Sequence, residues 1–132
     1  GWRAYEGQTG DNTDWNALNV AHIIPSAGIE LTPDSFLLEM GFERINGVDF
    51  KKGCYVGQEV TARMKHKTEL RKGLAQVNIT GSAPIGTEIT TEAGKPAGTL
   101  FSQSGSKALA YLRFDRAAGT LNSKDAQITY AP

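Results

Sequence analysis

The period of the apolar residues changes once, at Leu74, and that change restricts the fold more than any other feature of the chain. Beyond it Ala75, Val77 and Ile79 alternate with Gln76, Asn78 and Thr80, the period of two required of a strand with one buried face. Gly81-Ser82-Ala83-Pro84 breaks the run. Residues 85–91 read as a second strand and Ala93-Gly94-Lys95 as a hairpin turn. Residues 99–103, 108–114 and 127–130 read as further strands, with Ser104-Gly105-Ser106 as another turn. About five or six short strands, with no helix between most of them, point to a small antiparallel barrel. Closure is what strands this short need, because it removes the unpaired edges they would otherwise present. In that barrel Ala75, Val77, Ile79, Ile89 and Leu112 face inward.

Upstream the texture is helical. The first few residues read as the end of a strand, and Asp11-Asn12-Thr13-Asp14 offers N-caps for a short helix over Trp15–His22, closed by Pro25 and Gly28. Thr32-Pro33-Asp34 opens a second predicted helix, with Phe36, Leu37, Met40 and Ile45 at helical spacing and Asn46-Gly47 as the turn after it. A third is predicted over residues 57–66, with Val60 and Met64 turned to the core and Arg63, Lys65 and Lys67 on the surface. The fold class is therefore α+β, with a helical part over residues 1–66 and a β-barrel domain over residues 67–132.

The 132 residues carry equal numbers of acidic and basic side chains, but unevenly placed. Residues 1–50 hold Arg3 and Arg44 against eight acids, and residues 51–72 hold seven Lys and Arg against Glu59 and Glu69. The basic stretch points to an anionic partner or to a solvated helix face paired with the acidic segment. No apolar run reaches the length of about 20 residues that spans a bilayer, so no membrane role is expected. The single cysteine excludes an internal disulfide and fits a reducing, cytoplasmic setting. Trp2 and Trp15 read as core or domain-contact residues.

The stretch that carries chemistry is Phe50-Lys51-Lys52-Gly53-Cys54-Tyr55-Val56-Gly57-Gln58-Glu59. It sets a thiol between glycines, just before a predicted helix N-terminus whose free N–H groups supply partial positive charge. Lys51 and Lys52 add full charges, and all three features favour thiolate over thiol. Cys54 is thus the candidate reactive group. Glu59 and Gln58 fall in the helix's first turn, where an acid offsets the dipole and an amide can cap, and Tyr55 suits packing between helix and barrel. His22 and His66 lie 32 and 12 residues from Cys54, spacings that match no compact zinc pattern, so no metal is assigned. One cysteine does not hold an iron–sulfur cluster by itself.

Lys52-Gly53-Cys54-Tyr55-Val56-Gly57-Gln58-Glu59 resembles the signature of the YgfZ-type folate-binding family, Lys-Gly-Cys-Tyr-x-Gly-Gln-Glu, at every fixed position. Ile24-Pro25 with Gly28, Gly47-Val48-Asp49-Phe50, Ala62-Arg63 and the Ala108-Leu109-Ala110-Tyr111-Leu112-Arg113 strand agree with it. The resemblance implies a fold like that of the glycine cleavage system's aminomethyltransferase, with residues 1–66 as the end of the folate-binding domain. It implies tetrahydrofolate as cofactor and iron–sulfur enzymes, among them tRNA-methylthiolating ones, as partners. A mitochondrial relative acts in cluster assembly. Cys54 maps onto the family's functional cysteine, with Lys52, Tyr55, Gln58 and Glu59 as its motif support. Family chains are longer, and the opening Gly1-Trp2-Arg3-Ala4-Tyr5 reads like a chain cut in mid-structure, so this one is expected to be their C-terminal part.

Two other functions fit parts of the pattern. One is a folate-dependent aminomethyltransferase, but that family's pterin-contacting glutamate falls at Ala21, which has no carboxylate. The other is a barrel contacting RNA or tRNA through residues 51–72, where Tyr55 is the only aromatic interleaved with the bases. Enzyme status stays open between these readings.

Overall fold

The computed structural model describes residues 12–54, 56–66 and 69–132. Trp2, Asp11, Tyr55 and Lys67, and the strand expected at the start of the chain, lie outside the described residues.

The barrel is closed. Strands β1 (Lys72–Thr80), β2 (Glu88–Thr91), β3 (Pro96–Ser104), β4 (Lys107–Arg113), β5 (Thr120–Ser123) and β6 (Ala126–Thr129) run in the order β1-β4-β3-β2-β5-β6, and β6 returns to pair with β1. Every pairing is antiparallel. The interior is filled by the alternate residues of these strands, and Ala75, Val77, Ile79, Ile89 and Leu112 all point into it. Strand β2 starts at Glu88 rather than Ile85, because the Thr87 hydroxyl and amide both turn back to the Pro84 carbonyl and Gly86 takes φ +85°. Strand β5 has no counterpart in the sequence reading: Thr-Leu-Asn-Ser offers one apolar residue, and Ser123 is buried by donating its hydroxyl to the Glu88 carbonyl.

A second apolar cluster lies on the barrel's outer face, where Val20 and Met40 pack on Leu74 and Leu109 with Phe42, Phe101 and Tyr111 around them. This is how the upstream segment is held. Helix α1 (Trp15–His22) begins at Asp14, whose side chain accepts from the Ala17 amide at 2.9 Å. It ends with Ile23 in the left-handed region at φ 53°, an unfavourable place for a β-branched residue. The cost is offset by Arg44, which donates to the His22 and Ile23 carbonyls at 2.7 and 2.5 Å. Gln76 of β1 caps the Val20 carbonyl at 2.8 Å.

The helix predicted after Asp34 is absent. Thr32 and Ser35 close a turn on each other, and two tight reversals follow: Phe42 N bonds Leu37 O around Gly41 (φ 77°), and Gly47 N bonds Phe42 O around Asn46 (φ 56°). A helix cannot propagate through either, and the Glu39 carbonyl that would serve it accepts from Leu74 N at 2.7 Å instead. Helix α2 (Gln58–His66) forms as expected but is rotated. Thr61 is buried while Val60 is 51% exposed, because the inward stripe runs through Gln58, Thr61 and Ala62.

Candidate functional site

The motif segment joins the reversals of residues 36–47 to α2. Cys54 is exposed on that junction. A methyl group placed on Gly53 or Gly57 would meet nothing within 4 Å, and Val56 is wholly exposed, so the described residues on either side of the thiol leave open space around the loop. Gly57 takes φ +85°, which turns the chain into α2 at Gln58. Asp49 accepts from the Lys51 amide at 2.8 Å and shapes the approach to the loop.

The motif residues divide by role. Lys52 is exposed on the same loop as Cys54. Gln58 is half-buried as the first residue of α2, on the helix's inward stripe. Glu59 is exposed in the first turn and takes an ion pair at 2.6 Å from Arg63, one turn along. It complements the helix dipole from where it stands, as expected for an acid at that position. Lys52, Cys54, Gln58 and Glu59 are thus gathered at one loop–helix junction. His22 and His66 are exposed, and among the described residues no group of His, Cys, Asp and Glu is arranged to hold a metal ion. Ala21 is exposed at the end of α1 with its carbonyl 3.3 Å from Gln76 Nε2, and it presents no acceptor side chain.

The outward face of α2 borders a cleft of about 510 Å³. Phe36, Val60, Met64 and Leu70 line it together with two acids, Glu39 and Glu69, and two bases, Arg63 and Arg71. A smaller cavity of about 210 Å³ adjoins it, sharing Phe36 and Glu39 and reaching Phe101 and Tyr111. Val60 and Met64, expected in the core, thus line an open surface instead. Among the described residues no helix is long and apolar enough to cross a membrane.

Several residues at this face escape a reading by sequence. Tyr111 of β4 donates to Glu39, and burial together with that carboxylate pushes the phenol well above its ordinary range. Lys65 of α2 pairs with Glu43 and lies over the Phe50 ring. The acidic segment and the basic segment therefore do meet, through Lys65 and Glu43. Neither contact has a local sequence signal, since the partners lie 72 and 22 residues apart.

Residues 71–132 match the family described as CAF17, C-terminal beta-barrel domain. The mouse mitochondrial iron-sulfur cluster assembly factor IBA57 is 37% identical over 128 residues, spanning 92% of this chain and 36% of the relative. Its human counterpart is 33% identical over 134 residues, spanning 95% of this chain and 38% of the relative. The tRNA-modifying protein YgfZ of Aliivibrio fischeri is 35% identical over 57 residues, 43% of this chain and 18% of that protein. The chain thus spans little more than a third of the length of the IBA57 proteins it matches. With its motif loop intact and its strands closed into the matching barrel, the chain belongs to the family of YgfZ and IBA57.

Proposed function

We propose that this protein serves the assembly or repair of iron–sulfur enzymes and that Cys54 is its working thiol. The observation that carries the reading is the exposure of Cys54 between two open glycines, in a chain similar to iron–sulfur assembly factors along almost its whole length. A single thiol does not hold a cluster, so Cys54 acts as one ligand or one nucleophile toward a cluster whose other ligands a partner supplies. Lys52, Gln58, Glu59 and Tyr55 support it: the glycine turn and the start of α2 set the loop's direction, and Lys52 brings positive charge. The partners are iron–sulfur enzymes, tRNA-methylthiolating ones among them, and the setting is the one those enzymes occupy.

Tetrahydrofolate enters this reading by resemblance alone. The described residues do not reproduce the pterin contact of aminomethyltransferases, because Ala21 offers a methyl group where a carboxylate would accept the pterin N–H groups. Pterin donors left unpaired there would cost about 1–3 kcal/mol. Ala21 thereby disfavours aminomethyl transfer. The RNA-contacting reading loses support from Arg63 and Lys65, whose charges are matched within the chain by Glu59 and Glu43.

The test is complementation in cells deprived of their own family member. The protein restores methylthiolated tRNA, measured by mass spectrometry, and the Cys54→Ala variant falls to the level of the empty vector. Full restoration by Cys54→Ala would remove the thiol from the mechanism.

A further inference from the structure

Three stretches that are separate in sequence meet at one ammonium group. Lys65 Nζ lies over the Phe50 ring, 5.3 Å from its centroid, and the same nitrogen donates to the Glu43 carboxylate. Phe50 stands four residues before Cys54, and Lys65 stands in the last turn of the helix that begins four residues after it. Their contact draws together the two ends of the segment that carries the thiol. Gly53, Cys54, Val56 and Gly57 are left exposed between them. Glu43 then ties this closed segment to the reversal around Asn46, whose backbone is fixed by the Gly47–Phe42 bond of 2.7 Å.

We infer that Phe50, Lys65 and Glu43 are positioning residues that fix where Cys54 is presented. The functional part of this inference rests on Cys54 being the working thiol; the mechanical part does not. Lys65 acts through both contacts at once. It needs a positive charge for Glu43 and a cation at the ring face for Phe50, and one side chain supplies both. Each contact is exposed, so each is individually weak. Together they bias the loop toward its closed position by about five- to tenfold over the released one. That is enough to hold a thiol in place and little enough for a docking partner to displace it. The rotation of α2 agrees with it: Lys65 shares a face with Gln58, Thr61 and Ala62, which are buried or half-buried, and Val60 lies outside.

Cys54 is the sole cysteine, so a nitroxide attached to it reports the loop directly. In the 132-residue protein its electron paramagnetic resonance spectrum should show a motionally restricted population. Lys65→Met should convert most of that population to the mobile form while the barrel's melting temperature stays within a degree or two. Lys65→Arg, which keeps the charge and can stack on Phe50, should restore the restricted spectrum. Glu43→Gln should release about half as much as Lys65→Met and is the second arm should the methionine variant fold poorly. An unchanged spectrum in Lys65→Met or in its stand-in Glu43→Gln, or a mobile one in Lys65→Arg, overturns the inference. In the complementation assay Lys65→Met should lower activity about fivefold, with rescue by Lys65→Arg. If Cys54→Ala is inactive and Lys65→Met is fully active, positioning is refuted and the thiol stands. If Cys54→Ala is active while the spectra behave as stated, the thiol falls and the clamp stands.

Discussion

Glu30 is 2% exposed, and both of its carboxylate oxygens are used on backbone groups. Oε2 accepts from the Ser26 amide at 2.9 Å, closing the loop after α1, and Oε1 accepts from the Ser102 amide at 3.2 Å. Ser102 needs this partner because β3 bulges there: Leu100 pairs with Ala110 and Gln103 with Ala108, so Phe101 and Ser102 together face Leu109. The carboxylate thus rivets the post-helical loop to a defect in the barrel wall. Replacing it with glutamine preserves the shape and turns one acceptor into a donor. Whichever way the amide is set, one backbone N–H faces another donor. An orphaned buried N–H costs about 1–3 kcal/mol, which for a chain of this size lowers the melting temperature by about 4–12 °C. Glu30→Ala orphans both amides and opens a void, so its cost should be larger, about 3–6 kcal/mol. Urea titration with linear extrapolation measures both variants, and hydrogen exchange at Gly28 and Leu31 locates the loosening. A Glu30→Gln protein within about 0.5 kcal/mol of the parent would show that the two amides do not depend on the carboxylate, and the rivet argument would fail.

The remaining predictions concern the barrel wall and its clasp. Gly98→Ala should cost about 3 kcal/mol, because the new Cβ would lie 2.2 Å from the Tyr111 carbonyl oxygen across the ladder, whereas Gly53→Ala meets nothing within 4 Å and should change stability by less than about 0.5 kcal/mol in the same urea titration. Tyr111→Phe removes the bond to Glu39 and should cost about 1 kcal/mol at neutral pH. Because the phenol is raised in the folded state, its contribution is complete below the unfolded value of about 10 and is lost as pH rises beyond it; urea midpoints between pH 8 and 11 should fall more steeply for the parent than for Tyr111→Phe, and equal slopes would refute the assignment.

Much of the barrel was legible because alternation is a local property. Val77 and Ile79 announce their face two residues apart, and a strand needs nothing more to be found. What escaped was decided by distant partners. Strand β5 has one large apolar residue, Leu121, and its place is set by pairing with β2 and β6. The failed helix after Asp34 carries sound helical spacing, yet Leu74 takes the Glu39 carbonyl, and Gly41 and Asn46 each turn left-handed. Spacing of apolar residues predicts which face is buried only if a helix forms at all, and here two glycine-assisted reversals bury Leu38 and Met40 without one.

The site divides along the same line. The motif was readable as a string, since glycines on both sides of a cysteine and a helix just beyond make an exposed turn on local grounds, and Cys54 is exposed on that turn. Helix α2 was placed to within a residue, but its rotation was not. Val60 and Met64 are its most apolar pair, and a hydrophobic stripe would turn them inward. They line the cleft while Lys65, on another face of α2, reaches both Glu43 and Phe50. The sequence carries that pairing as a net charge of one sign before residue 50 and the other after it, a signal that says the two segments attract without saying which pair decides. A charge reversal separates the two causes. If Lys65–Glu43 sets the rotation, exchanging them as Lys65→Glu with Glu43→Lys keeps the attraction but moves the cation away from Phe50. Thr61 should then stay protected from exchange while the Cys54 loop loosens. Loss of protection at Thr61 in the exchanged protein would mean that the ring contact, rather than the ion pair, orients the helix.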